Sequence, residues 1–211
     1  MTGLFASIDG TERLGEGIVL WRDAIDETRY AAAIARVALE APFRRMLTPG
    51  GRQMSVAITN CGQLGWVSDT HGYRYSATDP DSAMRWPAMP ADWLDDASHA
   101  AFRCGFSGFV PDACLINRYQ VGDRMGAHQD RNESDFTQPV VSMSIGLPAE
   151  FTFHGASRAG NVGRIDLHSG DVLVWGGPAR LHFHSVRPIR AGTHGLCGAV
   201  RYNLTFRRAA P

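Results

Sequence analysis

Arg201-Tyr202-Asn203-Leu204-Thr205-Phe206-Arg207 divides cleanly into two faces when it is read as a strand. Side chains alternate along a strand with period two, so Arg201, Asn203, Thr205 and Arg207 share one face. Tyr202, Leu204 and Phe206 point the other way, as an apolar layer does. The polar face carries two guanidiniums, and Arg meets a carboxylate in a fork geometry that Lys does not offer. Upstream stand His128-Gln129-Asp130 and, far beyond them, His184. Two imidazoles and one carboxylate form a facial set that leaves half of an octahedral metal open, the pattern of non-haem iron(II). A metal beside two arginines suits a cosubstrate with two carboxylates, such as 2-oxoglutarate, with O2 at the remaining position.

Each piece has a plain reading when taken alone. An HxD tripeptide is commonly a pair of surface polar residues, a single His184 a hydrogen-bonded core histidine, and two late arginines solvated charges. Their order within one strand-rich region carries the argument. The separation of His128 from His184 exceeds one helix or hairpin and fits two strands meeting across a rolled sheet.

Working outward, the second half of the chain reads as short strands punctuated by Gly, Pro and Asp. These are Ala113–Tyr119, Val140–Leu147, Phe151–His154, Arg164–Leu167, Asp171–Trp175, His182–Arg187 and Ala199–Arg207. Such spacing predicts a sandwich, barrel or jelly roll. On Ala113–Tyr119, Asn117 and Tyr119 share a face, which either meets a polar ligand or faces solvent. The first half reads differently. An irregular lead over residues 1–20 ends in a strand, Gly17–Trp21. Asp26 caps a helix reaching about Ala41, with Tyr30, Ile34, Val37 and Ala41 in one stripe and Pro42 as its stop. A strand at Met54–Ile58 precedes a loop-rich segment containing Trp66, His71, Tyr73, Tyr75 and Trp86. A second helix starts near Pro90, with Leu94, Ala97, Ala101 and Cys104 on its apolar stripe and Gly105 at its end. The predicted class is α+β, a single unit over residues 1–211. Residues up to about 110 form an extension and lid, and about 111–211 form the β-roll core.

A chain of 211 residues can bury a sound core, and its formal charge of zero supplies no global field for nucleic acid. All 21 basic residues are Arg, a choice that suits stacking and phosphate contacts but equally follows from genomic base composition. The cysteines (Cys61, Cys104, Cys114, Cys197) show no CxxC spacing and read as small apolar residues in a reducing compartment. No secretory signal or membrane span is expected, so the expected setting is the cytoplasm and the expected state a monomer.

At these residues the sequence resembles the AlkB family of iron- and 2-oxoglutarate-dependent nucleic-acid demethylases, in its bacterial branch, over nearly the whole chain. The stretches that carry the resemblance are Thr48-Pro49-Gly50-Gly51, Thr59-Asn60-Cys61-Gly62, Leu64-Gly65-Trp66, Trp86-Pro87-Ala88-Met89-Pro90, Pro111–Tyr119, His128-Gln129-Asp130, Val174-Trp175-Gly176-Gly177 and Arg201–Arg207. HxD…H marks the wider oxygenase superfamily; RxNxxxR with the Asn-Arg-Tyr strand is narrower. The resemblance implies a double-stranded β-helix, or jelly roll, with N-terminal helices and a substrate-recognition lid. It implies His128, Asp130 and His184 as iron(II) ligands. Arg201, assisted by Asn117 and Tyr119, would hold the distal carboxylate of 2-oxoglutarate, and Asn203 and Arg207 the end nearer the metal. Trp66, Tyr73, Tyr75, Asn132 and Arg158 fall where the family contacts the damaged nucleotide, although members often have Asp where Asn132 stands.

The implied reaction is oxidative demethylation of bases such as 1-methyladenine and 3-methylcytosine in single- or double-stranded DNA, the choice between DNA and RNA being left open. This is direct-reversal repair, releasing formaldehyde and succinate. Without the resemblance, Trp66 and the tyrosines read as ordinary packing under a loop. Two rivals share the metal residues: an oxygenase acting on a protein or small molecule, and a jelly-roll binding module without chemistry.

Overall fold

Alternating apolar and polar residues along the late strands set the layering of the protein. The computed structural model describes residues 10–160 and 163–210. The first half contributes β1 (Thr11–Gly15), β2 (Ile18–Trp21), α1 (Glu27–Glu40), β3 (Ala57–Gly62), β4 (Gly65–Asp69), β5 (Gly72–Ser76) and α2 (Ala91–Arg103). The second half contributes β6 (Ala113–Gln120), β7 (Met125–His128), β8 (Val140–Gly146), β9 (Ala149–Gly155), β10 (Gly163–Leu167), β11 (Val172–Trp175), β12 (Phe183–Val186) and β13 (Val200–Arg207). A seven-stranded sheet runs β1-β2-β11-β8-β13-β6-β3, and a four-stranded sheet runs β10-β9-β12-β7. Strands β4 and β5 form a separate ribbon. The two larger sheets make the predicted jelly roll.

Strand β13 sits between β8 and β6, with Asn203 opposite Ser144 on one side and Asn117 on the other. On the outer face of this sheet, Val141, Met143, Ile145, Leu204, Phe206, Cys114 and Ile116 form one buried cluster with Tyr30, Ile34 and Val37 of α1 and Trp93, Ala97 and Ala101 of α2. Its inner face carries Ser142, Ser144, Asn203 and Thr205, turned toward the smaller sheet. Asp26 caps α1 as predicted, accepting from the amides of Thr28 and Arg29 at 3.0 and 3.4 Å. Helix α2 is rotated from the predicted stripe. Trp93, Ala97, Ala100 and Ala101 are buried, while Leu94 and Cys104 are half-buried. The cause is Trp93, whose ring stacks on Tyr30 with centroids 5.2 Å apart.

Three segments of the first half differ from the sequence reading, and in the second half β7 is a strand that the reading did not include. The strand expected at Met54–Ile58 lies at Ala57–Gly62, because Thr59, Asn60 and Cys61 pair with β6 although two of them are polar. Their polarity is absorbed locally: Thr59 donates to the Ala41 carbonyl at 2.6 Å, and Asn60 exchanges two bonds with the Trp66 backbone. The segment read as loop is the β4–β5 ribbon, pairing Trp66 with Tyr75 and Ser68 with Tyr73. Gly65 opens it where a Cβ would lie 2.4 Å from the Trp86 ring. Part of the expected irregular lead is β1; residues 1–9 lie outside the described residues. Among the described residues, no helix is long and apolar enough to cross a membrane.

Leu204 is fully buried on the helix-facing side of β13. Leu204→Ala is expected to cost about 2–5 kcal/mol of stability. Urea unfolding with a loss below about 1 kcal/mol would show that this face is not the core.

Candidate active site

Strands β7 and β12 pair antiparallel with His184 directly opposite His128, which brings the two imidazoles to a centroid separation of 4.3 Å. Asp130 follows two residues after His128. Its Oδ1 lies 3.8 Å from His128 Nε2 and 3.9 Å from His184 Nε2. The three ligand atoms lie within 4.8 Å of one another, close enough for one metal ion to draw them in. Both ring Nδ1 atoms face backbone carbonyls, of Gly126 at 2.9 Å and His182 at 3.1 Å. Donation from Nδ1–H leaves each Nε2 with its lone pair turned inward, the tautomer a metal needs. Asp130 Oδ2 receives Arg207 Nε at 3.1 Å and Nη2 at 2.8 Å, so Oδ1 remains free for an ion.

The protonation states agree with that geometry. Burial pushes the His184 imidazole down to about 3, with His128 adding repulsion. Burial alone would raise the Asp130 carboxyl, but Arg207, His184 and His128 outweigh it and hold it below the usual carboxylate range. Both groups are therefore in their metal-binding forms at neutral pH.

A cavity of about 550 Å³ opens beside these residues. Asn117, Tyr119, Asn203, Thr205 and Arg207 line it, so the predicted polar face of β13 and the Asn117–Tyr119 face of β6 both point inward. Arg201 is not among its walls; it pairs across the ladder with Tyr119, which is. Arg201 is fully buried, donates to the Leu147 carbonyl at 3.1 Å and Ser144 Oγ at 2.8 Å, and has an unpartnered Nε. Burial pushes its guanidinium down to about 10. The Asn117 Oδ1 is likewise buried without a partner. A buried cation without a carboxylate beside it is the environment a carboxylate ligand would complete, so the residues present fit iron(II) with a dicarboxylate.

The predicted nucleotide contacts divide. Trp66, Tyr73, Asn132 and Arg158 line the cavity. Trp66 stacks on Tyr73 with centroids 5.4 Å apart, and its Nε1 donates to Asn132 Oδ1 at 3.1 Å. Arg158 donates to the Ala127 carbonyl and lies over the Phe183 ring. Tyr75 is absent from the walls; its hydroxyl donates to Glu133 Oε1 at 2.5 Å. Sequence reasoning missed Ser142, Ser144, Glu133, Arg180, Phe151 and Trp175. Phe151 stacks on His184 at 5.5 Å and Trp175 meets it edge-on at 5.2 Å, fixing the ring. Period-two alternation in Val140–Gly146 could have exposed the two serines; nothing in the sequence pairs Arg180 with Glu133.

This combination of jelly roll, donor set and basic strand defines a class of metal-dependent oxygenase, and comparison with known proteins agrees. The sequence model of the 2OG-Fe(II) oxygenase superfamily matches residues 17–207. The chain is 51% identical over 212 residues to the alpha-ketoglutarate-dependent dioxygenase AlkB of Escherichia coli K12, covering 99% of this chain and 98% of that protein. It is 50% identical over 177 residues to the protein of the same name from Salmonella typhimurium LT2, covering 84% and 82% respectively. The solved structure of OsALKBH1 superposes with a TM-score of 0.82 at 26% identity, over 94% of this chain and 99% of that one. The chain belongs to the AlkB family of 2OG-Fe(II) oxygenases. Its cofactors are iron(II) and 2-oxoglutarate.

The depressed His184 value gives the metal-free protein a signed pH dependence. In the fold His184 stays neutral down to about 3, whereas the unfolded chain takes up that proton near 6.5. The unfolded state therefore binds more protons below about pH 6.5, and stability falls on acidification. Asp130, with its depressed value, acts in the same direction at lower pH. Between pH 7 and 5 His184 accounts for a loss on the order of 2 kcal/mol. Urea unfolding at both pH values should show that loss in wild type and a smaller one in His184→Asn; equal losses would refute the assignment.

Proposed function

We propose that this chain is an iron(II)- and 2-oxoglutarate-dependent dioxygenase that removes alkyl groups from damaged bases, of the 1-methyladenine and 3-methylcytosine type, in DNA, with RNA the open alternative. One observation carries the reading: an inward-facing His-Asp-His set and the polar face of β13 share a cavity whose walls include the Trp66–Tyr73 stack. A pocket of about 550 Å³ suits a single nucleobase better than a folded protein segment.

His128, Asp130 and His184 would hold iron(II), which with 2-oxoglutarate and O2 would supply the oxidation of a substrate methyl C–H bond, with carbon dioxide and succinate as coproducts. The protein supplies position and exclusion of water. Arg201 neutralises the distal carboxylate of the cosubstrate, with the Tyr119 hydroxyl and Asn117 nearby, while Asn203 and Arg207 serve the end nearer the metal. Arg207 also keeps Asp130 oriented. A lesion base reaches the cavity only when extruded from a duplex or already single-stranded. Trp66 offers an indole face for it, and a cationic methylated base there gains about 0.5–2 kcal/mol. Asn132 fixes the indole edge, and Arg158 adds a cation at the rim. Once the N-methyl group is hydroxylated, the carbon–nitrogen bond breaks to give formaldehyde and the repaired base. No protein nucleophile is required.

Mass spectrometry of oligonucleotides carrying 1-methyladenine, 3-methylcytosine or ethenoadenine tests this directly, after incubation with iron(II), 2-oxoglutarate and air. Repaired base and succinate should form together with wild type and not with Asp130→Ala. Succinate without any change in the oligonucleotides would assign the chain a different substrate, and no succinate at all would make it a binding module.

Arg201→Leu should raise the 2-oxoglutarate requirement about a hundredfold, equivalent to roughly 3 kcal/mol, because a buried carboxylate loses its cation. Titration of succinate formation against 2-oxoglutarate reads this out, and an unchanged half-saturation would remove Arg201 from the site.

A further inference from the structure

Four charged side chains are buried together at the donor set: Asp130, itself a donor, with Glu133, Arg180 and Arg207. Arg207 grips the Asp130 carboxylate, but Arg180 and Glu133 belong to no donor set, and their side chains are each 2% exposed. Arg180 commits its whole fork to the segment between β7 and β8. Its Nη1 donates to the Asp130 carbonyl at 2.7 Å, Nε to the Gln138 carbonyl at 2.9 Å and Nη2 to Glu133 Oε2 at 3.0 Å. The other oxygen of Glu133 lies 3.4 Å from Arg207 Nε. Asp130 is therefore held twice, by its carbonyl and by its carboxylate, and Glu133 joins the two arginines that hold it. Phe136 covers the Arg180 guanidinium at 5.4 Å.

A buried ion pair adds little stability over a well-packed apolar pair of the same volume, so this cluster calls for another explanation. The explanation lies in the backbone. Strand β7 ends at His128 and β8 begins at Val140, so Asp130 stands in a stretch without ladder bonds. Beyond one backbone bond, from Ser134 N to the Ala209 carbonyl at 3.4 Å, its position relative to His184 is set by side-chain contacts. Arg180 occupies the segment leading into β12, just after a short 3-10 turn at Gly177–Ala179 whose first residue has φ +54°. It thus links the segment carrying Asp130 to the segment carrying His184. We propose that Arg180 and Glu133 are positioning residues, a clamp that presets the metal-binding carboxylate before any metal arrives. This rests on the assignment of the metal to His128, Asp130 and His184.

Calorimetric titration with Mn2+ alone, without 2-oxoglutarate or nucleic acid, tests the clamp. The double variant Arg180→Met/Glu133→Gln removes both charges together and leaves neither orphaned. Its Mn2+ dissociation constant should rise at least about tenfold in protein that still unfolds cooperatively without metal, at a melting temperature lowered by the two carbonyls that Met leaves unpaired. Unchanged Mn2+ affinity overturns the proposal, including the case where only oligonucleotide binding weakens, which would make Glu133 a substrate contact. If the double variant does not fold, Arg180→Lys decides. Lysine keeps the charge but cannot reach three acceptors with a planar fork, so Mn2+ affinity should still fall, and wild-type affinity overturns the clamp. Asp130→Ala serves as the control: wild-type Mn2+ binding there would fault the metal assignment rather than the clamp.

Discussion

The contact between Asp130 and Arg207 organises both halves of the site. One carboxylate oxygen takes two guanidinium hydrogens, at 3.1 and 2.8 Å, and both partners are buried. Charge-assisted bonds of this kind are strong and directional. The arrangement fixes which oxygen is left over, and that oxygen faces the two imidazoles. Arg207 ends β13, an interior strand flanked by β8 and β6, so the larger sheet sets the orientation of a side chain on an irregular segment. The smaller sheet contributes the imidazoles. The pair is thus a tie between the two layers of the roll at the place where the chemistry occurs.

The two arginines of the same strand face differ in their electrostatic surroundings. Arg207 is raised above the ordinary guanidinium value: burial opposes its charge, but Asp130, Tyr75 and Glu133 outweigh that effect. Arg201 is lowered, because burial there meets no carboxylate in contact. Arg207 has two carboxylates against it, whereas Arg201 is influenced by Asp171 without being in contact with a carboxylate. In the proposed function, a ligand with negative charge at both ends would meet Arg201 at one end and the metal at the other. On that proposal, cosubstrate orientation would come from an imbalance along one strand as well as from shape.

How much of this could be read in the sequence depended on whether side chains alternate. The two faces of β13, the polar row of β6 and the strands β8 to β12 were all legible, because period-two patterns report faces directly. The donor set was legible from residue types and order. The β4–β5 ribbon was not, because Ser68, Asp69, His71 and Gly72 interrupt its pattern with turn formers and because its stability comes from contacts with Asn60, Asn132 and Glu133. The shift of β3 toward Gly62 was hidden for a similar reason: Thr59 and Asn60 look like loop residues until their partners are known. Arg180 and Glu133 left no signal, since a pair remote in sequence shows neither period nor spacing.

The division of β13 into a core face and a cavity face also bears on how this gene can change. Shifting the strand by one residue would turn Leu204 and Phe206 into the cavity and drive Asn203 and Thr205 against the helices. A codon gained or lost within this strand would damage fold and chemistry in a single event, whereas substitutions on either face can accumulate separately. Point changes on the cavity face, at Thr205 for example, alter cavity polarity without unseating the core. Differences in length are left to the turns.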